Sequence, residues 1–386
     1  MRGRIRGLSE AVLAAGPGVW GPLLVVIAML ALVGAAVAAA EVRGAGSQVA
    51  GAGVPEFVLG ADLPPNAGVE ELTATEGATG DRPALSAPPL TDAAASPTPP
   101  PAQPRPPALP PVEGDARVPL RPVEPRLLAF AGLSTWIDVY DVEQTAAQQI
   151  EIAAAAGVDT LFLQSGKYDS PEDIHHGERF GETIELAHDR GMRVVAWYVP
   201  DFVDPERDLR RARTAIGYTS PRGDRPDAFG LDIEVEDQTD VALRTERLMT
   251  LSRTLRDDVG RDYPMAAIVL PPLQLDLRPG WWPDFPYAEL RPLFDVVVPM
   301  SYSSYRGTDA DTTYRWSHDN IVELRARAGE PDWPVHLAGG IADDLPEVEA
   351  FLVAAADAGV VGAGLYDLAT TRPDAWPLLR ALRVGE

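Results

Sequence analysis

The stretch Ala228-Phe229-Gly230-Leu231-Asp232-Ile233-Glu234-Val235-Glu236-Asp237 decides the fold. Three acids recur at every second position at the end of an apolar run. In a β-strand, residues two apart share a face. Asp232, Glu234 and Glu236 therefore point one way, together with the small Ala228 and Gly230. Phe229, Leu231, Ile233 and Val235 point the other way. Small and acidic inward, branched and apolar outward against helices, is the pattern of a barrel strand. Carboxylates this close cannot all ionise freely, so at least one pKa is expected to rise.

Strands and helices alternate on both sides of this stretch. The expected strands are 127–139, 160–165, 193–199, 228–234, 265–270, 294–300, 335–338 and 361–366. The expected helices are 143–156, 180–190, 206–216, 239–259, a short turn near 287–293, 318–328, 346–358 and 375–384. At Gly157, Gly191 and Gly359 a glycine ends a helix and an apolar strand follows at once, as αβ loops require. Eight β/α units predict an α/β protein, a (β/α)8 TIM barrel over residues 126–386. An open doubly wound sheet is the alternative, but no Gly-rich phosphate loop follows the first strand.

The remainder of the chain has a different composition. Arg2, Arg4 and Arg6 precede an apolar run at 19–40, long enough for one N-terminal transmembrane helix. Residues 1–18 would be cytoplasmic, 19–40 a signal anchor, and 41–125 a disordered Ala/Gly/Pro-rich linker. The C-terminal domain would then be extracellular, or secreted if small residues such as Ala38 and Ala40 permit cleavage. The chain has no cysteine, which excludes disulfides and thiolate chemistry. A net charge of −24 argues against nucleic acid as a partner.

In such a barrel the C-terminal strand ends carry the site. Here they supply Trp136, Asp138, Tyr140 and Asp141, then Gln164 and Lys167, then Trp197, Tyr198 and Asp201. After these come Asp232, Glu234 and Glu236, then Trp281 and Trp282, Met300 and Tyr302, and finally Tyr366 and Asp367. An acidic mouth lined with aromatics suits sugar rings, which stack on aromatic faces and hydrogen-bond to carboxylates. The expected partner is thus a polysaccharide or oligosaccharide. No metal and no cofactor is expected. His175-His176 lacks a third histidine at metal spacing and reads as a polar loop, while His188, His318 and His336 read as surface or helix-end residues. Lys167 is the single lysine of the chain.

Gly230-Leu231-Asp232-Ile233-Glu234-Val235-Glu236 resembles the strand-four signature of family 18 glycoside hydrolases, Asp-Gly-x-Asp-x-Asp-x-Glu. Phe229 stands at its first aspartate and Glu234 at its last. Met300-Ser301-Tyr302-Ser303 resembles that family's strand-six Met-x-Tyr-Asp, with Ser303 in place of aspartate. The resemblance implies Glu236 as general acid, Glu234 as positioning carboxylate and Tyr302 as its helper. Asp232-Ile233-Glu234 also looks like the Asp-x-Glu strand of family 25 lysozymes, which implies Glu234 as the acid and Asp232 as its partner. Asp138, Gln164, Trp197, Tyr198, Trp281, Trp282, Met300, Tyr302 and Tyr366 are the expected substrate contacts. A barrel that binds glycan without cleaving it is the alternative function.

Overall fold

The computed structural model describes residues 118–382. The apolar run at 19–40 and most of the linker lie outside them. Among the described residues no helix is long and apolar enough to cross a membrane. Eight parallel strands close in sequence order into a barrel. They are β1 Gly132–Ile137, β2 Thr160–Lys167, β3 Arg193–Val199, β4 Ala228–Ile233, β5 Met265–Val269, β6 Val296–Ser301, β7 His336–Gly339 and β8 Gly362–Leu365. The helices are α1 Ala146–Ala156, α2 Gly177–Asp189, α3 Pro205–Ile216, α4 Val241–Val259, α5 Pro272–Leu277, α6 Tyr287–Leu290, α7 Ala310–Ala328, α8 Leu345–Asp357 and α9 Trp376–Leu379.

Local chemistry sets most of the boundaries. Thr145 and Gln148 form a reciprocal capping box at the start of α1. Asp204, Asp240, Asp309 and Asp344 each accept a backbone N–H as N-caps of α3, α4, α7 and α8. Gly157 and Gly329 end α1 and α7 in the left-handed conformation.

Four expectations need correction. Residues 125–130 form a 3-10 turn, so β1 starts only at Gly132. The polar Asp311, Thr312 and Thr313 belong to α7, which starts eight residues earlier than the apolar pattern indicates. α5 was not foreseen, because Pro271-Pro272 reads as a break; in fact Pro272 opens the helix, where proline lacks only a bond that is unmade anyway. Residues 118–125, expected in the linker, pack on the barrel instead. Val118 donates to Ala381 O and Arg121 to Val360 O, both at 2.8 Å, so residues from 118 onward pack against the barrel.

The barrel's lower interior is closed by contact and by lack of space. Phe162 stacks on Trp136, with ring centroids 4.0 Å apart. A Cβ on Gly364 would lie 2.1 Å from Ser134 O, so β8 approaches β1 more closely than any side chain allows. His336, expected at the surface, is wholly buried here. Its Nδ1–H donates to Phe130 O at 2.8 Å, which leaves Nε2 to accept from Ser134 Oγ at 2.7 Å. Burial pushes its pKa down to about 4. The folded state therefore binds fewer protons than the unfolded chain between pH 6.5 and 4. Stability from this group is complete above pH 6.5 and is lost as pH falls. The loss is on the order of 3 kcal/mol. In urea unfolding, His336→Gln should cost stability at pH 7, and the gap to wild type should narrow or reverse at pH 4.5. A gap that does not change with pH would refute this account.

Candidate active site

β4 ends at Ile233, so of the three acids only Asp232 lies within the strand and Glu234 is the first residue beyond it. Asp232 is buried in the barrel mouth and its Oδ1 has no hydrogen-bond partner. Glu234 follows at the strand end, half-buried. Gly230, beneath them, has no room for a methyl group: a Cβ would meet Ile268 Cδ1 at 2.8 Å. Burial, and then the charge of Glu234, push Asp232 well above the ordinary carboxyl range. Burial raises Glu234 to about 7, against the opposing pull of Lys167. Both carboxyls therefore give up their protons at higher pH than free carboxyls do.

Glu236 does not join this pair. It is exposed, and the cations acting on it are Arg244 and Arg278, on the outer side of the mouth. The same region takes up the tryptophan pair. Trp282 is buried, donates to Thr245 Oγ1 at 3.0 Å and has the Arg244 guanidinium 4.2 Å from its ring. Trp281 is buried beside it, and its carbonyl accepts from Arg244. Both pack a loop and offer no open face to a sugar. Tyr198 is likewise outside the mouth. Its hydroxyl donates to Asp208 of α3 at 2.7 Å, in the layer between sheet and helices. Adjacent residues of one strand face opposite ways, so Trp197 and Tyr198 cannot both line the interior.

The other expected residues do converge. Tyr302, at the end of β6, is buried, and its pKa is raised by burial and then by the charges of Asp232 and Glu234. Its ring lies 5.8 Å from that of Tyr366. The Tyr366 hydroxyl donates to Asp138 Oδ2 at 2.7 Å. Trp136 lies 5.9 Å from Tyr366 and 5.7 Å from Trp197, edge to face with the latter. The buried indole N–H groups of Trp136 and Trp197 have no protein acceptor. Gln164 accepts from Val139 N–H at 2.9 Å, fixing the β1 loop. Met300 is buried at the end of β6. Tyr305, 49% exposed and 6.4 Å from the Tyr302 ring, was not foreseen. It sits in the 3-10 turn after β6, where no strand alternation points to it.

Carboxylate oxygens of Asp138, Asp141 and Asp367 lie within 4.8 Å of one another, a grouping of the kind that can hold a metal ion. Burial raises Asp141 to about 6. The rings of His175 and His176 lie tilted against each other before α2, with centroids 4.1 Å apart.

No family model matches the sequence, and no curated protein matches it. Solved structures do match in fold. The spore cortex-lytic enzyme SleL of Bacillus cereus aligns with a TM-score of 0.50 at 9% identity, over 66% of this chain and 74% of that one. The domain shares the (β/α)8 barrel fold with it. A family GH18 chitinase from Cycas revoluta aligns at 0.48 and 10% identity, over 65% of this chain and 99% of that one. An endo-1,4-β-D-mannanase from Thermotoga petrophila aligns at 0.48 and 14%, over 61% and 88%.

Proposed function

We propose that this glycosidase-like barrel is a glycoside hydrolase acting on a cell-wall or chitin-like polysaccharide, with Glu234 as general acid and Asp232 as its partner. The observation that carries the reading is the Asp232–Glu234 pair at the end of β4, Asp232 buried and Glu234 half-buried, with Tyr302 beside both. A carboxyl raised to about 7 is still protonated in mildly acidic solution, as a general acid must be. Glu234 gives its proton to the glycosidic oxygen as the bond to the anomeric carbon breaks. An acetamido group of the substrate stabilises the oxocarbenium-like charge, and Asp232, the partner of Glu234, orients it. Water then adds to that carbon, and its proton returns to Glu234. The Tyr302 hydroxyl is the helper, and Trp136, Trp197 and Tyr366 form the apolar floor for the ring. Among the likenesses, SleL is described as a spore cortex-lytic enzyme, which agrees with a wall glycan. The chain would work outside the cytoplasm, tethered through 19–40, with the N-terminus cytoplasmic.

One observation favours a barrel that binds without cleaving. Ser303, where the family 18 pattern has aspartate, is buried and accepts from Thr313 Oγ1 at 3.2 Å, so β6 supplies no third carboxyl. The purified chain should be tested on peptidoglycan, chitooligosaccharides and neutral polysaccharides. Release of reducing ends is expected from one of these at pH 6, fading as pH rises past about 7 with loss of the Glu234 proton. Saturable binding with no release on any substrate would favour the second reading.

A further inference from the structure

The register between β2 and β3 slips at one point. Gln164 pairs with Trp197, yet Gly166 pairs with Tyr198 and Lys167 with Val199, which leaves Ser165 as an extra residue. Ser165 Oγ donates to Trp197 O at 2.8 Å and holds the bulge in place. Without it, strict alternation from Gln164 would turn Gly166 inward and Lys167 out. With it, Lys167 shares the inward face of Trp197 and Val199. Bulges near active sites commonly redirect a side chain in this way.

The redirected side chain is the single lysine of a chain with net charge −24. Its ammonium donates to Tyr140 Oη at 2.6 Å and lies 3.6 Å from Asp169 Oδ2. The rings of Tyr140 and Tyr168 flank it at 5.3 and 5.5 Å. The side chain is only 14% exposed, so its charge is poorly screened. We infer that Lys167 is a positioning residue of the site: the β2 bulge brings its ammonium into the mouth as the counter-charge to Glu234. This rests on the proposed role of Glu234. A general acid in a buried carboxyl pair becomes an anion when it gives up its proton, and a fixed cation nearby offsets that charge.

The charged and titratable groups facing Glu234 come from three strands. Asp232 lies on its own strand, Lys167 comes from β2, and Tyr302 and Tyr305 come from the end of β6. Lys167 is the cation among them, and its pull on Glu234 is downward. Removing it should therefore leave Glu234 protonated to higher pH.

The test compares wild type, Lys167→Met and Lys167→Arg by pH–rate profile and by carbon-13 titration of the Glu234 carboxyl, assigned with Glu234→Gln. In Lys167→Met the basic limb and the carboxyl midpoint should both rise by about one to two pH units. The rate at the optimum should fall at least about tenfold. Lys167→Arg should restore the midpoint. An unmoved midpoint in Lys167→Met would overturn the inference. A moved midpoint in a chain that cleaves none of the glycans would uphold the electrostatic pairing and refute only the hydrolase reading. If Lys167→Met does not fold, the arginine variant decides: a wild-type midpoint supports the pairing, and a midpoint raised by a unit or more counts against it.

Discussion

Glu234→Gln is expected to abolish hydrolysis and, at pH 8, to make the domain more stable. Loss of a general acid costs about a thousandfold in rate. The gain in stability follows from the sign of the shift. Glu234 titrates near 7 in the fold, against 4.5 for an ordinary glutamate. Between those values the folded state binds more protons than the unfolded chain, so stability declines as pH rises through the window. Above pH 7 the fold carries the full cost of ionising this carboxyl, roughly 2 kcal/mol after allowing for its partial exposure. Glutamine removes that cost, which corresponds to a rise of about 4–8 °C in Tm for a domain of this size. At pH 4.5 the two proteins should melt together. An unchanged Tm at pH 8 would mean that the pair is better solvated than its burial implies. Retained activity would move the chemistry elsewhere.

Gly364→Ala should damage the fold itself. The added Cβ would meet Ser134 O at 2.1 Å and Ser134 Oγ at 2.4 Å. Gly364 pairs with Ser134 across the closing seam, so this backbone oxygen cannot retreat without parting β8 from β1. Ser134 also binds His336, and a shift there disturbs the one buried imidazole among the described residues. The expected loss is about 3–5 kcal/mol, at the upper end for a single added methyl. Gly280→Ala is the control, because nothing lies within 4 Å of the Cβ it would gain. Its urea midpoint should stay at the wild-type value while that of Gly364→Ala falls. Similar midpoints for the two variants would show that the seam relaxes easily.

The barrel was legible because its signals repeat. An apolar run after each helix and a glycine at three αβ joints agree, and the eight strands lie where they were expected to within about five residues. The Asp232–Glu234 pair was legible because alternation holds as far as Ile233. It misled for Glu236, since hydrogen bonding and not pattern decides where a strand stops. Tyr198 was misread because an aromatic doublet puts only one ring on each face. Trp281 and Trp282 were misread because Arg244 draws them into a loop core, a contact between segments far apart in sequence. Lys167 was legible as a strand-end residue but its inward turn was not, since a bulge shows only once the partner strand is in place. His336 read as a surface or helix-end residue, and its two partners come from the distant start of the domain sequence.

The position of Lys167 also makes the protein unusual as a target for amine chemistry. Apart from the α-amino group, the whole chain offers a reagent one primary amine, and it lies at the barrel mouth. Arginine carries the remaining positive charge on the surface and is untouched by acylating agents. Acylation at Lys167 by such a reagent is thus a footprint of the mouth, and the fraction modified at that residue reads whether a sugar covers it.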